Sequence, residues 1–313
     1  MKRKIIIDTD PGQDDAVALL LALASPDELE VLAVVAVAGN VGLAQNAKNA
    51  LKVVELSGRA DVPVYAGSIR PIRRPLVTAE HVHGATGLDG PTLAEPKLKL
   101  REQHGVDYIV ETLRAAEPGT ITLATLGPLT NVAMALIKAP DIAPRIKEIV
   151  MMAGAYFEVG NITPTAEFNV YVDPEAADIV LRSGIPIVMI PLDVTHGVLT
   201  TRARLDGFRA IGKRAASAVA DMLKFSERFD LEKYGGVGAP LHDPCVIAYL
   251  LRPDLFSGRH INVSIETASP LTVGMTVADW WRITDRPKNV TYLRSADADG
   301  FYALLTERLA RLP

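Results

Sequence analysis

The stretch "IIIDTDPGQDDA", Ile5 to Ala16, sets four carboxylates (Asp8, Asp10, Asp14 and Asp15) directly behind an apolar run. The apolar part reads as a short strand. Residues two apart on a strand share a face, so Asp8 and Asp10 point the same way. Pro11-Gly12 then forces a turn. Asp14 and Asp15 fall in the first turn of the helix that follows, where the dipole and the free N–H groups favour anions. One such Asp is ordinarily a cap or turn residue. Four of them repel, and a bound cation relieves that repulsion best. An all-carboxylate set suits a hard ion, Ca²⁺ or Mg²⁺. The glycine and closing glutamate of an EF-hand are not at the required offsets.

Working outward, the chain alternates strand and helix. "DDAVALLLALA" is apolar nearly all round and reads as a buried helix. "LEVLAVVAVAG" reads as a strand buried on both faces, and "AQNAKNALKVVELSG" as an amphipathic helix closed by Gly58. Strand "VPVYAG", helix "DYIVETLRAAEPG", strand "TITLATLG", helix "LTNVAMALIKAP", strand "IKEIVMMAG", helix "DPEAADIVLRSG" and strand "IPIVMIPLD" follow. This rhythm predicts an α/β fold with a mostly parallel open sheet and helices on both faces. The last third is more helical, with short strands near "HINVSIE" and "PLTVGMTV" and a final helix from about Asp297 to Leu312. No linker or compositional break interrupts residues 1–313, which predicts one domain. In such a sheet ligands bind beyond the carboxyl ends of the strands, which is where the acidic cluster lies.

Two stretches depart from the rhythm. Gly67–Gly105 is long and rich in proline and glycine, as functional loops are. Arg228–Pro244 carries glycines with Tyr, His and Asp, and suits a mobile wall over a site.

Composition narrows the function. Of 313 residues 49% are hydrophobic and 22% charged, the balance of a globular protein with a sizeable core. A net charge of −4 without a long basic run argues against a nucleic-acid polymer as partner. Cys245 is the single cysteine, so an intrachain disulfide and a thiolate zinc site are excluded. The apolar start ends at Asp8, too soon for a signal peptide, and the longest apolar runs fall far short of the ~20 residues of a membrane span. The expectation is a soluble cytoplasmic protein with no membrane partner.

Two further elements carry chemistry. In "APLHDPC", Asp243 reads as the cap of a helix with Pro244 at its first position. A cap can still turn an oxygen toward a metal, and His242 reads either as a core or as a functional histidine. In "GNITPTAEFNVYVDPEAA", Glu167 and Asn169 face the same way if extended, with Asn161 just upstream. Carboxylate and amide groups together are what sugar hydroxyls need, although Asn161 also suits a plain turn. Asp173-Pro174-Glu175 reads as an ordinary helix start.

With these pieces in place, the chain resembles the inosine–uridine-preferring nucleoside hydrolases over essentially its whole length. "DTDPGQDDA" matches the family's D-T-D-P-G-x-D-D-A, and "AGN" ending at Asn40, "HGATGLDG", "LGPLTN", "MMAGA", "AEFNVYVDPEAA" and "PLHDPC" follow in the family's order. The resemblance implies a Rossmann-like fold and hydrolysis of the N-glycosidic bond of ribonucleosides to ribose and free base. It implies a bound Ca²⁺ held by Asp10, Asp15, Asp243 and the Leu126 carbonyl. It places Asp14, Asn40, Asn169 and Asp243 on the 2′ and 3′ hydroxyls, Asn161 and Glu167 on the 5′ hydroxyl, and Met152 along the ribose. Phe168 and, in the variable wall, Tyr234 are placed near the base, with His83 and His242 as base-side histidines and Asp8 as support behind the metal. A homodimer or homotetramer is implied as well. Ala85, Thr86 and Ala153 depart from the common pattern and touch none of these ligands.

The chemistry asks for a pocket that stabilises oxocarbenium character, an activated water and a protonated leaving base. Ca²⁺ with Asp10 as proton acceptor, and a histidine as donor, would fill those roles. Two alternatives belong to other classes. One is a nucleoside- or ribose-binding protein that has lost catalysis. The other is a haloacid-dehalogenase-like phosphatase, which also opens with strand then D-x-D. That class wants Thr or Val where this chain has Gly12.

Overall fold

The computed structural model describes residues 2–234, 236 and 238–313, with the side chains of 230, 231, 233 and 234 outside the description. Its strands, in chain order, are β1 (Arg3–Thr9), β2 (Leu29–Ala36), β3 (Val64–Ala66), β4 (Ile121–Thr125), β5 (Ile146–Met152), β6 (Ile187–Ile190), β7 (Leu199–Thr201), β8 (Gly238–Pro240), β9 (Phe256–Ile261), β10 (Val263–Ile265), β11 (Thr276–Ala278) and β12 (Val290–Ala296). Eight of them form one sheet in the order β3-β2-β1-β4-β5-β6-β12-β9. Every pairing in it is parallel except β12 with β9.

Helices cover both faces, so the central strands are apolar on both sides. Ile5 and Ile7 of β1 pack into one core while Ile6 packs into the other. The helix Gln13–Leu23 lies wholly inside the first core, and all of its residues but Asp14 are buried. A helix without a solvent face has no amphipathic stripe, as its sequence indicates. Gly58 adopts φ +76° just past the helix Leu43–Leu56, the left-handed position that ends helices.

Three features differ from the sequence reading. β12 was not anticipated, yet it lies inside the sheet between β6 and β9. The wall expected over Arg228–Pro244 is in part regular, because the helix Arg214–Tyr234 runs through its first residues. Good helix formers in "KFSERFDLEKY" outweigh the glycines that follow. Glu167 and Asn169 are not extended: Glu167 caps the short helix Phe168–Val172 and Asn169 lies in its first turn.

The strand order reverses at β1, whose neighbours β2 and β4 leave in opposite directions. A crevice opens at such a switch point, beyond the carboxyl ends of the strands. Asp10 follows β1, Asn40 follows β2, Leu126 follows β4 and Met152 ends β5.

Candidate active site

A cleft open to solvent lies at that switch point. Its walls include Asp14, Asn40, Leu126, Met152, Asn161, Glu167, Phe168, Asn169, His83, His242 and Asp243. Ten of the expected residues therefore meet there from segments more than two hundred residues apart, along with the Leu126 position. Asp10 and Asp15 sit beneath, each 1% exposed. The Tyr234 side chain lies outside the described residues.

The acidic floor is built by short-range geometry. Asp15, third residue of its helix, accepts from Gly12 N at 3.0 Å, from Asp10 N at 3.2 Å and from Thr9 Oγ1 at 2.5 Å. Asp10 accepts from Asn40 N at 2.7 Å through Oδ2, while its buried Oδ1 has no hydrogen-bond partner. Side chains at Gly39 and Gly127 would collide with the Asp10 carboxylate, so both glycines make room for it. Asp243 is the N-cap of Pro244–Leu251, but its backbone is helical (φ −63°, ψ −35°) and its carboxylate makes no capping bond. That frees the group for the cleft. Oxygens of Asp14, Asp15 and Asp243 lie within 4.8 Å of one another. The tight group thus contains Asp14, where the sequence reading put Asp10, and Asp10 stands beside it.

Burial and the neighbouring carboxylates push Asp10 and Asp243 well above the usual carboxylate range; burial and Asp14 raise Asp15. Buried acids in such numbers are tolerable only if something cationic or protonic joins them. The oxygen-only donor set, with the orphaned Asp10 Oδ1 beside it, fits a hard divalent cation.

The remaining polar groups are held mostly by backbone. Asn40 donates from Nδ2 to Asp10 O at 3.0 Å and to Asp15 Oδ2 at 3.1 Å. Asn169 donates to Leu126 O at 2.7 Å and to Met152 O at 3.0 Å. Glu167 accepts from Asn169 N, Gly154 N and Val170 N, and burial pushes its carboxyl up to about 7. Asn161 Oδ1 accepts from Phe168 N at 2.8 Å. Asp8 takes no part in the cleft: it accepts from Asn131 Nδ2 at 2.8 Å, and burial raises it to about 7.

The histidines gather opposite. His242 Nδ1 meets Thr195 Oγ1 at 2.7 Å, and burial pushes its imidazolium down to about 3, so it is neutral near pH 7. Burial also lowers His83, against the pull of Asp14 and Asp15. His81, His196 and Phe229 line the cleft too, and the sequence reading missed all three. His196 closes the short helix Leu192–Thr195 that follows β6, in a segment beyond the carboxyl end of a sheet strand, and that placement is a signal a sequence can carry. Phe229 lay in the stretch taken for a loop. Asp173, read as an ordinary helix start, does cap Pro174–Leu181 but also clamps the long loop by accepting from Ile72 N at 2.9 Å and Thr130 Oγ1 at 2.6 Å.

Residues 5–303 match the family model described as inosine-uridine preferring nucleoside hydrolase. The chain belongs to that family. Nucleoside hydrolases are N-glycosyl hydrolases. Among its relatives, an uncharacterised protein of Schizosaccharomyces pombe is 57% identical, over 99% of this chain and 100% of that one. The pyrimidine-specific ribonucleoside hydrolase RihA of Salmonella typhimurium is 47% identical, over 99% of both chains. The solved structure of the plant nucleoside hydrolase PpNRh1 superposes with a TM-score of 0.92 at 33% identity, over 99% of both chains. These whole-length matches bear out the α/β fold and the resemblance drawn from the motifs. Among the described residues no helix is long and apolar enough to cross a membrane.

Proposed function

We propose that this nucleoside hydrolase is a Ca²⁺-dependent enzyme that prefers pyrimidine ribonucleosides and releases ribose and the free base. One observation carries the reading: three carboxylates within 4.8 Å form the floor of a cleft walled by amides on the one hand and histidines on the other. The pyrimidine preference is supported by the full-length similarity to an enzyme named for it. Asp10, Asp15 and Asp243, with the Leu126 carbonyl, would hold the cation, and Asp14 stands close enough to share it or to face the sugar. When bound, a divalent cation there supplies charge that favours ionisation of a nearby water and chelation of vicinal hydroxyls.

The chain's own groups account for the rest. Asp10 Oδ1, buried without a hydrogen bond, is the oxygen able to accept a proton from water. Asn40 and Asn169 are locked by backbone carbonyls, so they enter the reaction already oriented toward ribose hydroxyls. Asn161 and Glu167 take the 5′ end and Met152 packs along the sugar. The anionic floor stabilises positive charge developing at the anomeric carbon. His242, neutral near pH 7, offers the leaving base a hydrogen bond rather than a resident positive charge. Burial lowers His83 as well, but Asp14 and Asp15 oppose that shift, and we assign the proton donor's role to His83. Phe168 borders the base, and Tyr234 is proposed at the same end. We also place the enzyme in the cytoplasm, as a homodimer or homotetramer.

The test is reducing-sugar release from uridine, cytidine, inosine and adenosine, before and after chelation and with Ca²⁺ or Mg²⁺ restored. The expected result is faster release from the pyrimidine nucleosides, lost on chelation, recovered with Ca²⁺ and abolished by Asp10→Asn. Equal rates on purines and pyrimidines would remove the preference. Full activity after chelation would remove the metal. Tight ribonucleoside binding without turnover would leave a binding protein.

A further inference from the structure

The variable position inside "DTDPGQDDA" is Gln13, and its side chain does not point to solvent: it is 1% exposed and bound wholly to the loop that carries His83. Its Nε2 lies 2.9 Å from the His83 carbonyl and 3.0 Å from the Asp89 carbonyl. Only the amide NH₂ can satisfy two carbonyl oxygens, and doing so consumes both of its protons. Gln13 Oε1 must then be the atom 2.6 Å from His83 Nδ1. An amide oxygen only accepts, so His83 Nδ1 carries a hydrogen. Backbone packing reinforces the arrangement. A Cβ at residue 12 would stand 2.5 Å from His83 Nδ1 and 2.7 Å from its Cε1, so the ring lies flush against Gly12.

We propose that Gln13 is the positioning residue for His83: it holds the imidazole as the Nδ1–H tautomer, leaving Nε2 as the only nitrogen that deals with the leaving base. This rests on the hydrolase reading above. His83 first takes up a proton from solvent at Nε2; as the glycosidic bond breaks, its electron pair stays with the base, and that proton passes from Nε2 to the base. Nδ1 keeps its own proton, accepted by Gln13 Oε1 before and after, and His83 ends neutral. An oxygen acceptor serves both charge states, so the ring need not turn during the step. The same side chain ties the base end of the cleft to the helix turn that carries Asp14 and Asp15, one and two residues on.

The protein labelled with ¹⁵N-histidine and loaded with Ca²⁺ provides a readout that does not depend on activity. His83→Gln identifies the His83 signals by their disappearance. In the wild type, Nδ1 is expected to show the protonated shift and Nε2 the unprotonated one. In Gln13→Met, which keeps the length but removes both amide functions, the two tautomers should mix. Kinetics give the second arm. Uridine turnover in Gln13→Met should fall roughly 10- to 100-fold, a part of the 10²–10⁴ typical of acid catalysis. Turnover of p-nitrophenyl riboside, whose leaving group departs without a proton, should fall less than about threefold. An Nε2–H tautomer in the wild type overturns the proposal even if the variant does not fold. Equal losses on both substrates overturn it too. Wild-type protein that hydrolyses neither substrate refutes the hydrolase reading instead and leaves the tautomer result standing.

Discussion

Asp243→Asn separates a floor built to hold a cation from one that merely tolerates buried acids. Oxygens of Asp14, Asp15 and Asp243 lie within 4.8 Å of one another. At an effective dielectric of about 20, two full charges at that separation repel by roughly 3 kcal/mol. Burial and repulsion raise Asp10, Asp15 and Asp243, so in the stripped native state some of these groups hold protons that the unfolded chain releases. Raised acids make stability fall as pH climbs above the ordinary carboxylate range. Proton uptake softens the repulsion, so the variant should be about 1–3 kcal/mol more stable than the wild type when both are stripped at pH 8. With an unfolding entropy of roughly 2.1 cal/mol/K per residue, a chain of 313 residues shifts by about 1.5 °C per kcal/mol, or ~2–5 °C here. Calcium at a thousandfold excess over its Kd should add about 4 kcal/mol to the wild type, ~6 °C, and less than half of that to the variant. Scanning calorimetry at pH 5 and pH 8, with chelator or Ca²⁺, reads all four states. The stripped wild type should lose stability from pH 5 to pH 8 more steeply than the stripped variant. A stripped variant that melts below the stripped wild type at pH 8, or an equal gain from Ca²⁺ in both, would refute the argument.

Other perturbations probe the remaining walls. Thymidine and 2′-deoxyuridine should be hydrolysed roughly 10³-fold more slowly than uridine, because Asn40, Asn169 and the acidic floor lose a hydroxyl partner; kcat/KM on the pair decides it. Gly12→Ala should leave the melting temperature within a few degrees, since φ −89° suits alanine, yet displace His83 and cut uridine turnover about tenfold or more. Asn131→Ala removes the donor to the buried Asp8 carboxylate and should cost about 2–4 kcal/mol in denaturant unfolding. His242 has its folded pKa depressed to about 3, so the unfolded chain binds the extra proton below about 6.5. Its contribution to stability is therefore complete above pH 6.5 and is lost as pH falls toward 3. His242→Gln should flatten that part of the Tm–pH curve.

The sequence could be read where one local pattern implies one local structure. The buried helix Gln13–Leu23 and the double-sided strand β2 declare themselves because an element covered on all sides must be apolar on all sides. β12 escaped because its "VTYLRSA" is half exposed and alternates weakly, and its place between β6 and β9 is set by pairing across the chain. The same division runs through the site. Asp10, Asp14 and Asp15 stood out as crowded charge in one segment. Asp243 read from its own segment as a cap that could also turn an oxygen toward a metal, because a cap and a ligand share one residue type; its helical φ and ψ show that the carboxylate is not spent on the helix. Glu167 was legible only in part. Its spacing to Asn169 suggested an extended pair facing one way, whereas its carboxylate caps a helix and accepts from Gly154, and both residues still line the cleft. Gln13 carried no signal of its own, since its meaning lies in partners 70 and 76 residues away. A signature motif marks the residues that meet the substrate. The residue inside it that orients a distant histidine becomes visible only when the hydrogen bonds are counted one proton at a time.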